Sequence, residues 1–418
     1  MSLQRALNVA NYDVVVVGAG LAGLSAAMAI TRGSDAAVAI LERRGIGSNN
    51  PTPMIFADVV ERFGLGDHVI GHYRRFTFHS PLGNRASHTF GTFCLAALDY
   101  RAACSALLRR SQATSNITLI RSRAVGLLST APGGWQIDTD AGQTILTPLL
   151  IDASGCGLFA TRALGLPGPR RFSHCLGQVW SNCAVADPEE AFFLAPSDRF
   201  GDGGGWLYPL DDGRASFGYA SLSASPAYPG QIVRDRYDRA RREFKPYADW
   251  LTVAQPSRVE AGTIPICPPR RFVYHGLLLI GDAAGQATIW SCMGGESALV
   301  SGELAGQAAG EAHRRHDYSP AVLGSYQRQW DRNYRRIYRQ GALLAPVTWR
   351  QGEVSWNRQI LLVQQLTPEQ MLARLRVNWP LLPMWQVLFI RAYDWAGRVR
   401  RGLVARLRAY FSQRVPQP

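Results

Sequence analysis

Val14-Val15-Val16-Val17-Gly18-Ala19-Gly20-Leu21-Ala22-Gly23 is the stretch that decides how this 418-residue chain is read. Residues 12–17 are apolar enough for a strand buried on both faces of a parallel sheet. A helical run follows at 24–30. Between them, Gly18, Gly20 and Gly23 fall in GxGxxG spacing. Gly18 permits the tight turn, Gly20 lets a pyrophosphate approach the backbone, and Gly23 lets helix and strand pack closely. Free N–H groups at the helix start attract phosphate. A second strand, residues 36–41, ends in Glu42, 22 residues beyond Gly20, the place of a carboxylate that holds a ribose hydroxyl. Arg43 stands beside it. The uncharged run 14–31 is long enough to suggest a membrane span. The glycine spacing and the closing Glu42 favour a dinucleotide site instead.

Composition places the rest. At 47% hydrophobic and 18% charged residues the chain is an ordinary folded protein, long enough to bury a core without disulfides. Seven cysteines show no CxxC pair, so neither a disulfide framework nor a metal site is expected. Asp13 precedes any apolar stretch, which argues against a signal peptide and for a cytoplasmic location. The formal net charge of +14 suggests nucleic acid or an anionic membrane as partner. Its location favours the membrane. Residues 314–418 hold 18 Arg, no Lys and five acids, a balance of +13, while residues 1–313 are nearly neutral. No nucleic-acid recognition motif accompanies the charge, and no nucleic-acid partner is expected.

A second glycine element lies about 260 residues downstream of the first. Gly276-Leu277-Leu278-Leu279-Ile280-Gly281-Asp282 reads as another buried strand ending in Gly-Asp, followed by Gly294-Gly295 and a helical stretch to Ala309. This two-part signature resembles the FAD-dependent oxidoreductases that include flavin hydroxylases, halogenases, lycopene cyclases and geranylgeranyl reductases. The resemblance implies that Asp282, after Gly281, holds the ribityl chain and that Gly294 and Gly295 lie against the flavin ring. It further implies that Arg101, in Leu98-Asp99-Tyr100-Arg101, touches the flavin side of the cofactor. A strand over 117–125 would bring backbone, Val125 included, to the adenine.

Details of the chain favour one branch of that family. Gly205-Trp206-Leu207-Tyr208-Pro209-Leu210 and Arg214-Ala215-Ser216-Phe217-Gly218-Tyr219 flank Asp211-Asp212-Gly213 and read as a hairpin. It resembles the aromatic hairpin that lines the prenyl channel of geranylgeranyl reductases, which makes Trp206 and Tyr208 candidate substrate contacts. Halogenases of this family use an early lysine, and the only lysine here, Lys245, lies in a helical stretch at 233–248. Hydroxylases carry a proline about seven residues after the Gly-Asp pair, where this chain has Ile289. Gly281-Asp282-Ala283-Ala284-Gly285 and Ser301-Gly302 match the geranylgeranyl reductase pattern, while Trp290-Ser291-Cys292-Met293 departs from it.

The expected fold is therefore α/β, with a Rossmann-type FAD domain assembled from 1–164 and 271–315. An antiparallel substrate domain at 165–270 and a basic helical region at 316–418 complete it. The resemblance implies reduction of carbon–carbon double bonds in a hydrophobic, isoprenoid substrate, with FAD recharged by an external donor, NADPH or ferredoxin. A lipophilic monooxygenase and a redox-neutral isoprenoid cyclase are the alternatives. No side chain stands out as a proton donor. Near the C-terminus, Trp385, Leu388, Phe389, Ala392, Ala396, Val399, Leu403, Leu407 and Phe411 recur at helical spacing among six arginines. That pattern suits a peripheral seat on the anionic cytoplasmic face of a membrane, or a helix docked on the body with a solvated basic face.

Overall fold

Val14–Val17 forms the middle of a six-stranded sheet in the order Val273–Tyr274, Leu277–Leu279, Leu149–Asp152, Val14–Val17, Val38–Leu41, Ile117–Ile120. All four valines are buried. The sheet is parallel except at its edge strand Val273–Tyr274. This computed structural model describes residues 8–376 except 114–115, 132, 198, 290 and 349–351, together with positions 385, 388, 392, 395, 396 and 399.

The helices are α1 (Leu21–Gly33), α2 (Ala57–Arg62), α3 (Tyr100–Ser111), α4 (Phe159–Ala163), α5 (Gly230–Glu243), α6 (Lys245–Leu251), α7 (Gly295–Arg315), α8 (Pro320–Thr348), α9 (Glu353–Gln364) and α10 (Pro368–Arg376). Small residues let α1 and α7 pack almost backbone to backbone. A Cβ at Gly302 would lie 2.2 Å from the Ala22 carbonyl oxygen, and one at Gly306 2.4 Å from that of Ala26. The Ser25 hydroxyl donates to the Leu299 carbonyl across the seam at 2.7 Å. This contact fastens the N-terminal and late segments into one nucleotide-type unit. α8 belongs to the same body. Its Trp330 and Tyr326 are buried, and the Tyr326 hydroxyl donates to the Leu279 carbonyl at 3.1 Å.

A seven-stranded sheet stands beside the first, in the order Gln255–Ile266, Arg171–Ser181, Arg214–Ser223, Gly205–Leu210, Glu190–Leu194, Arg75–His79, Arg85–Thr89. The hairpin around Asp211-Asp212-Gly213 is present, with Asp212 and Gly213 both at positive φ. Two of the strands come from residues 75–89, well before residue 165. The pleat sorts the side chains by face. Phe192, Leu207 and Phe217 join Tyr237, Phe244, Tyr247 and Trp250 beneath α5 and α6. Phe193, Trp206 and Tyr208 turn to the other face.

Two expectations need correction. The single helix over 233–248 is two, α5 and α6, with Phe244 extended between them. Pro246 sits in the first turn of the second helix, where its missing N–H is harmless. The strand over 117–125 ends at Ile120. The Asp140 carboxylate accepts from the Ser122 hydroxyl at 2.6 Å and the Arg123 N–H at 2.9 Å. That turn delivers Val125 to a separate strand, Ala124–Thr130.

Candidate active site

The parallel strands deliver their carboxyl ends to one edge, the usual ligand side of such a sheet. Gly18, Glu42, Ala153 and Ile280 follow or close those strands, and all line one continuous cavity of about 1420 Å³ that reaches the second sheet.

Its first half is built from bare backbone. Gly18 has φ +107°, and a Cβ there would lie 2.4 Å from the Ala153 carbonyl oxygen. A Cβ at Gly23 would lie 2.0 Å from the Gly18 carbonyl oxygen, so Gly23 shapes the turn from behind without lining the cavity. Gly20 is the N-cap of α1 and has no side-chain cap, with no acid in the first turn. The N–H groups and partial positive charge of the helix start are thus left for an anionic ligand. The Glu42 carboxylate accepts from the Ala19 N–H at 3.0 Å and the Arg44 N–H at 2.8 Å. It therefore braces the glycine turn as well as lining the cavity, where Arg43 and Val125 join it.

Opposite α1 stands the Gly-Asp element. Gly281 is buried at φ +56°, and its N–H donates to Gln286 Oε1 at 2.8 Å and Ser301 Oγ at 3.1 Å. Gly281 aims Asp282 into the cavity but does not line it. Burial alone pushes the Asp282 carboxyl up to about 7. No donor hydrogen-bonds that carboxylate among the described residues. Gly294 and Gly295 line the cavity nearby, and a Cβ on Gly295 would stand 2.5 Å from the Ile55 side chain.

These features fit FAD. The uncapped helix start suits its pyrophosphate, Glu42 a ribose, the unpartnered Asp282 a polyol, and the bare Gly294-Gly295 backbone a flat ring. Arg101 alone stands apart from this set. It is exposed at the first turn of α3 and lies outside the cavity, its Cα packed against Gly47. Successive helix residues diverge by about 100°. Tyr100 therefore faces in, with its hydroxyl against Gly20, while Arg101 faces out.

The second half of the cavity is apolar. Phe193 stacks on Phe76 and on Phe78, with ring centroids 5.7 and 5.5 Å apart. Trp206 lies over Gly218, where a Cβ would meet its ring at 2.0 Å. Tyr208 is buried, edge-on to Tyr73, and its hydroxyl donates to the Thr52 carbonyl at 2.5 Å. Both Trp206 and Tyr208 line the cavity.

Several cavity residues carry no sequence signal. Glu260 is nearly buried, pairs with Arg258 at 2.6 Å, and takes hydrogen bonds from Thr52 and from Ser216. It is the carboxylate on the sheet side of the cavity among the described residues. Trp356, Gln359, Ile360 and Val363 of α9, with Met371 and Leu375 of α10, form a roof. Neither helix carries a motif; only their packing on the strand Arg85–Thr89 shows what they do.

Comparison with known proteins agrees with this arrangement. Residues 1–62 match the Thi4 family. Digeranylgeranylglycerophospholipid reductase 2 of Methanopyrus kandleri is 28% identical over 343 residues, covering 78% of this chain and 84% of its own length. The solved structure of a geranylgeranyl bacteriochlorophyll reductase-like protein from Thermoplasma acidophilum superimposes with a TM-score of 0.77 at 20% identity, covering 86% of this chain and 93% of that one. A flavin-dependent brominase shares the fold at a TM-score of 0.72 and 14% identity, over 93% of this chain and all of its own. Fold and cavity together make this protein an FAD-dependent oxidoreductase of the Rossmann type. Within that class, the chain is similar over about three quarters of its length to digeranylgeranylglycerophospholipid reductases. The halogenase lysine has no counterpart in the cavity, since Lys245 is exposed and pairs with Asp249 at 2.8 Å.

Proposed function

We propose that this protein reduces carbon–carbon double bonds of a hydrophobic, isoprenoid substrate. The observation that carries the reading is the continuity of the cavity: an FAD-type half built of glycine backbone opens into a half walled by Phe76, Phe78, Phe193 and Trp206. The similarity to digeranylgeranylglycerophospholipid reductases supports the same chemistry. Gly18 and Gly20 would hold the pyrophosphate, Glu42 and Arg43 the ribose side, Val125 the adenosine side, and Asp282 the ribityl chain, with Gly294 and Gly295 against the ring. FAD held there, once reduced by the external donor, would supply hydride to one alkene carbon, the other taking a proton from water or a side chain. NADPH or a ferredoxin is the external donor in this reading.

The protein's own contribution is alignment and exclusion of water. The stacked phenylalanines and Trp206 would fix a flexible chain beside the glycine wall. Glu260 and Arg258 hold Thr52, and with it the loop that packs beside Gly295, in register with Tyr208. The Arg-rich C-terminal region would seat the enzyme peripherally on the anionic cytoplasmic face of a membrane. No described helix is long and apolar enough to cross one.

Product analysis under anaerobic conditions tests the reading. A polyprenyl product heavier by two hydrogens is expected. Product that forms only with oxygen and carries one oxygen atom means a monooxygenase, and an isomer of unchanged mass means a cyclase.

A further inference from the structure

Reduction of an alkene consumes a proton as well as a hydride. Among the described residues, three carboxylates line the cavity: Glu42, Glu260 and Asp282. Glu42 is engaged by the Ala19 and Arg44 N–H groups at the glycine turn. Asp282 belongs to the Gly-Asp element of the cofactor half, where the Tyr100 hydroxyl also stands, against Gly20. The Tyr208 hydroxyl donates its hydrogen to the Thr52 carbonyl. Burial pushes the Cys175 thiol up to about 11 and the Cys292 thiol up to about 12, which makes both weak acids. Glu260 remains. We propose that Glu260 is the catalytic acid, and that its Oε2 delivers a proton to the alkene carbon that does not receive hydride. The inference rests on the reductase reading above.

The geometry of the carboxyl group carries the assignment. Glu260 lies on the strand Gln255–Ile266, with 7% of its side chain exposed. Oε1 is held: it accepts from the Thr52 hydroxyl, and from the Arg258 guanidinium at 2.6 Å. Oε2 has one long contact among the described residues, from the Ser216 hydroxyl at 3.4 Å. One oxygen is fixed and the other is left for the cavity. The fixed oxygen places the free one where the two halves meet. Thr52 precedes Pro53, whose side chain lies 3.8 Å from where a Cβ on Gly295 would stand. Ser216 in turn accepts from the Trp206 indole N–H at 3.3 Å. The carboxyl group is thus tied to the glycine wall through Thr52 and to the aromatic wall through Ser216. A double bond between those walls lies beside it.

Entry of the substrate supplies the proton. The titratable and charged groups that face Glu260 are Arg258 on its own strand, Tyr208 on the hairpin, and Cys175, two places along from the register partner Gly177. Arg258 is the cation among them, but its side chain is 36% exposed, so water screens its hold. A hydrocarbon chain filling the cavity strips water from Oε2, and a carboxylate without water is stabilised by taking up a proton. In the step itself the alkene π bond breaks. One carbon receives hydride with its electron pair from the reduced cofactor, the other receives the Glu260 proton, and the O–H electron pair stays on Oε2. The carboxylate left behind is the one paired with Arg258.

Two measurements on the full-length, FAD-loaded protein test the proposal. In unbuffered neutral solution with an indicator dye, phytanol, a saturated isoprenoid alcohol, should draw about one proton onto each oxidised enzyme, and Glu260→Gln should draw none. After anaerobic reduction, geranylgeraniol should reoxidise wild-type flavin, more slowly in heavy water. Glu260→Gln should slow that reoxidation by roughly a hundredfold or more. Glu260→Asp keeps the acid one methylene farther back, so it should still draw the proton and be slowed less. Both variants should hold as much flavin as wild type. Absence of proton uptake in wild type, uptake that persists in Glu260→Gln, or reoxidation in Glu260→Gln within about threefold of wild type overturns the proposal and leaves water as the donor. Flavin lost from Glu260→Gln also overturns it, because the residue then only holds the Thr52 loop. Wild-type flavin that geranylgeraniol does not reoxidise refutes the reductase reading itself, and the acid with it.

Discussion

Asp282 is half-buried at the cavity wall, and among the described residues no donor hydrogen-bonds its carboxylate. A carboxylate that faces a cavity without a protein partner is where a ligand hydroxyl can complete it. Its pKa, raised by burial from the usual 3.8 to about 7, has a consequence for stability. A carboxyl with a higher pKa folded than unfolded binds its proton more tightly in the folded state. Its contribution to stability is therefore complete below about pH 4 and is lost as the pH rises towards 7. Thermal denaturation of flavin-stripped protein should show this loss between those limits, and Asp282→Asn should remove it. The same variant should retain less flavin than wild type after gel filtration. Equal flavin retention would detach Asp282 from the cofactor. Asp282 was legible because Gly-Asp after a buried strand is a local pattern. Glu260 was not, because what makes it special is a pairing with Arg258 and a reach to Thr52, about 200 residues away in sequence. The outward turn of Arg101 was illegible for the same reason: one step along a helix separates the inward Tyr100 from the outward Arg101, and sequence spacing alone does not fix that rotation.

The packing of α1 on α7 carries the nucleotide site, and two glycines make it so close. Gly302→Val should destabilise the protein by on the order of 3 kcal/mol and strip the flavin, because the new side chain runs into the Ala22 carbonyl. Gly310, eight residues later on the same helix, has nothing nearer than 3.5 Å to an added Cβ. Gly310→Ala should be tolerated, and its helix propensity favours stabilisation of up to about 1 kcal/mol. Urea denaturation of both variants checks the contrast, and equal effects would show that the glycines are not there for contact. The central sheet, the glycine turn and the aromatic hairpin could all be read from periodicity, since each is written in consecutive residues. The roof could not. α9 has an apolar inner face and an apolar outer face, so it has no single amphipathic stripe to announce which side meets the body.

The charge of +14 belongs to one end of a molecule whose body is nearly neutral. α8, α9 and α10 carry part of that end, yet they supply core residues and the cavity roof, so the proposed membrane seat of the Arg-rich end is best tested beyond Arg376. Chain ending at Arg376 should keep its flavin and its activity on detergent-dispersed substrate while losing most of its sedimentation with anionic vesicles. Full-length protein should lose that sedimentation as salt is raised. Retained vesicle binding after truncation would assign the attachment to the body alone. Of the apolar stripe expected over 385–411, positions 385, 388, 392, 396 and 399 are helical and exposed. Phe389, Leu403, Leu407 and Phe411 lie outside the described residues. All these features serve one claim, that a reduced flavin and a greasy alkene share one water-poor cavity. The most direct test is to reduce the FAD-loaded enzyme anaerobically, add a polyprenyl compound, and follow the oxidised-flavin absorbance in a stopped-flow instrument. The account predicts that the absorbance returns without oxygen, in step with saturation of one double bond per flavin. Flavin that stays reduced until oxygen is admitted would contradict it.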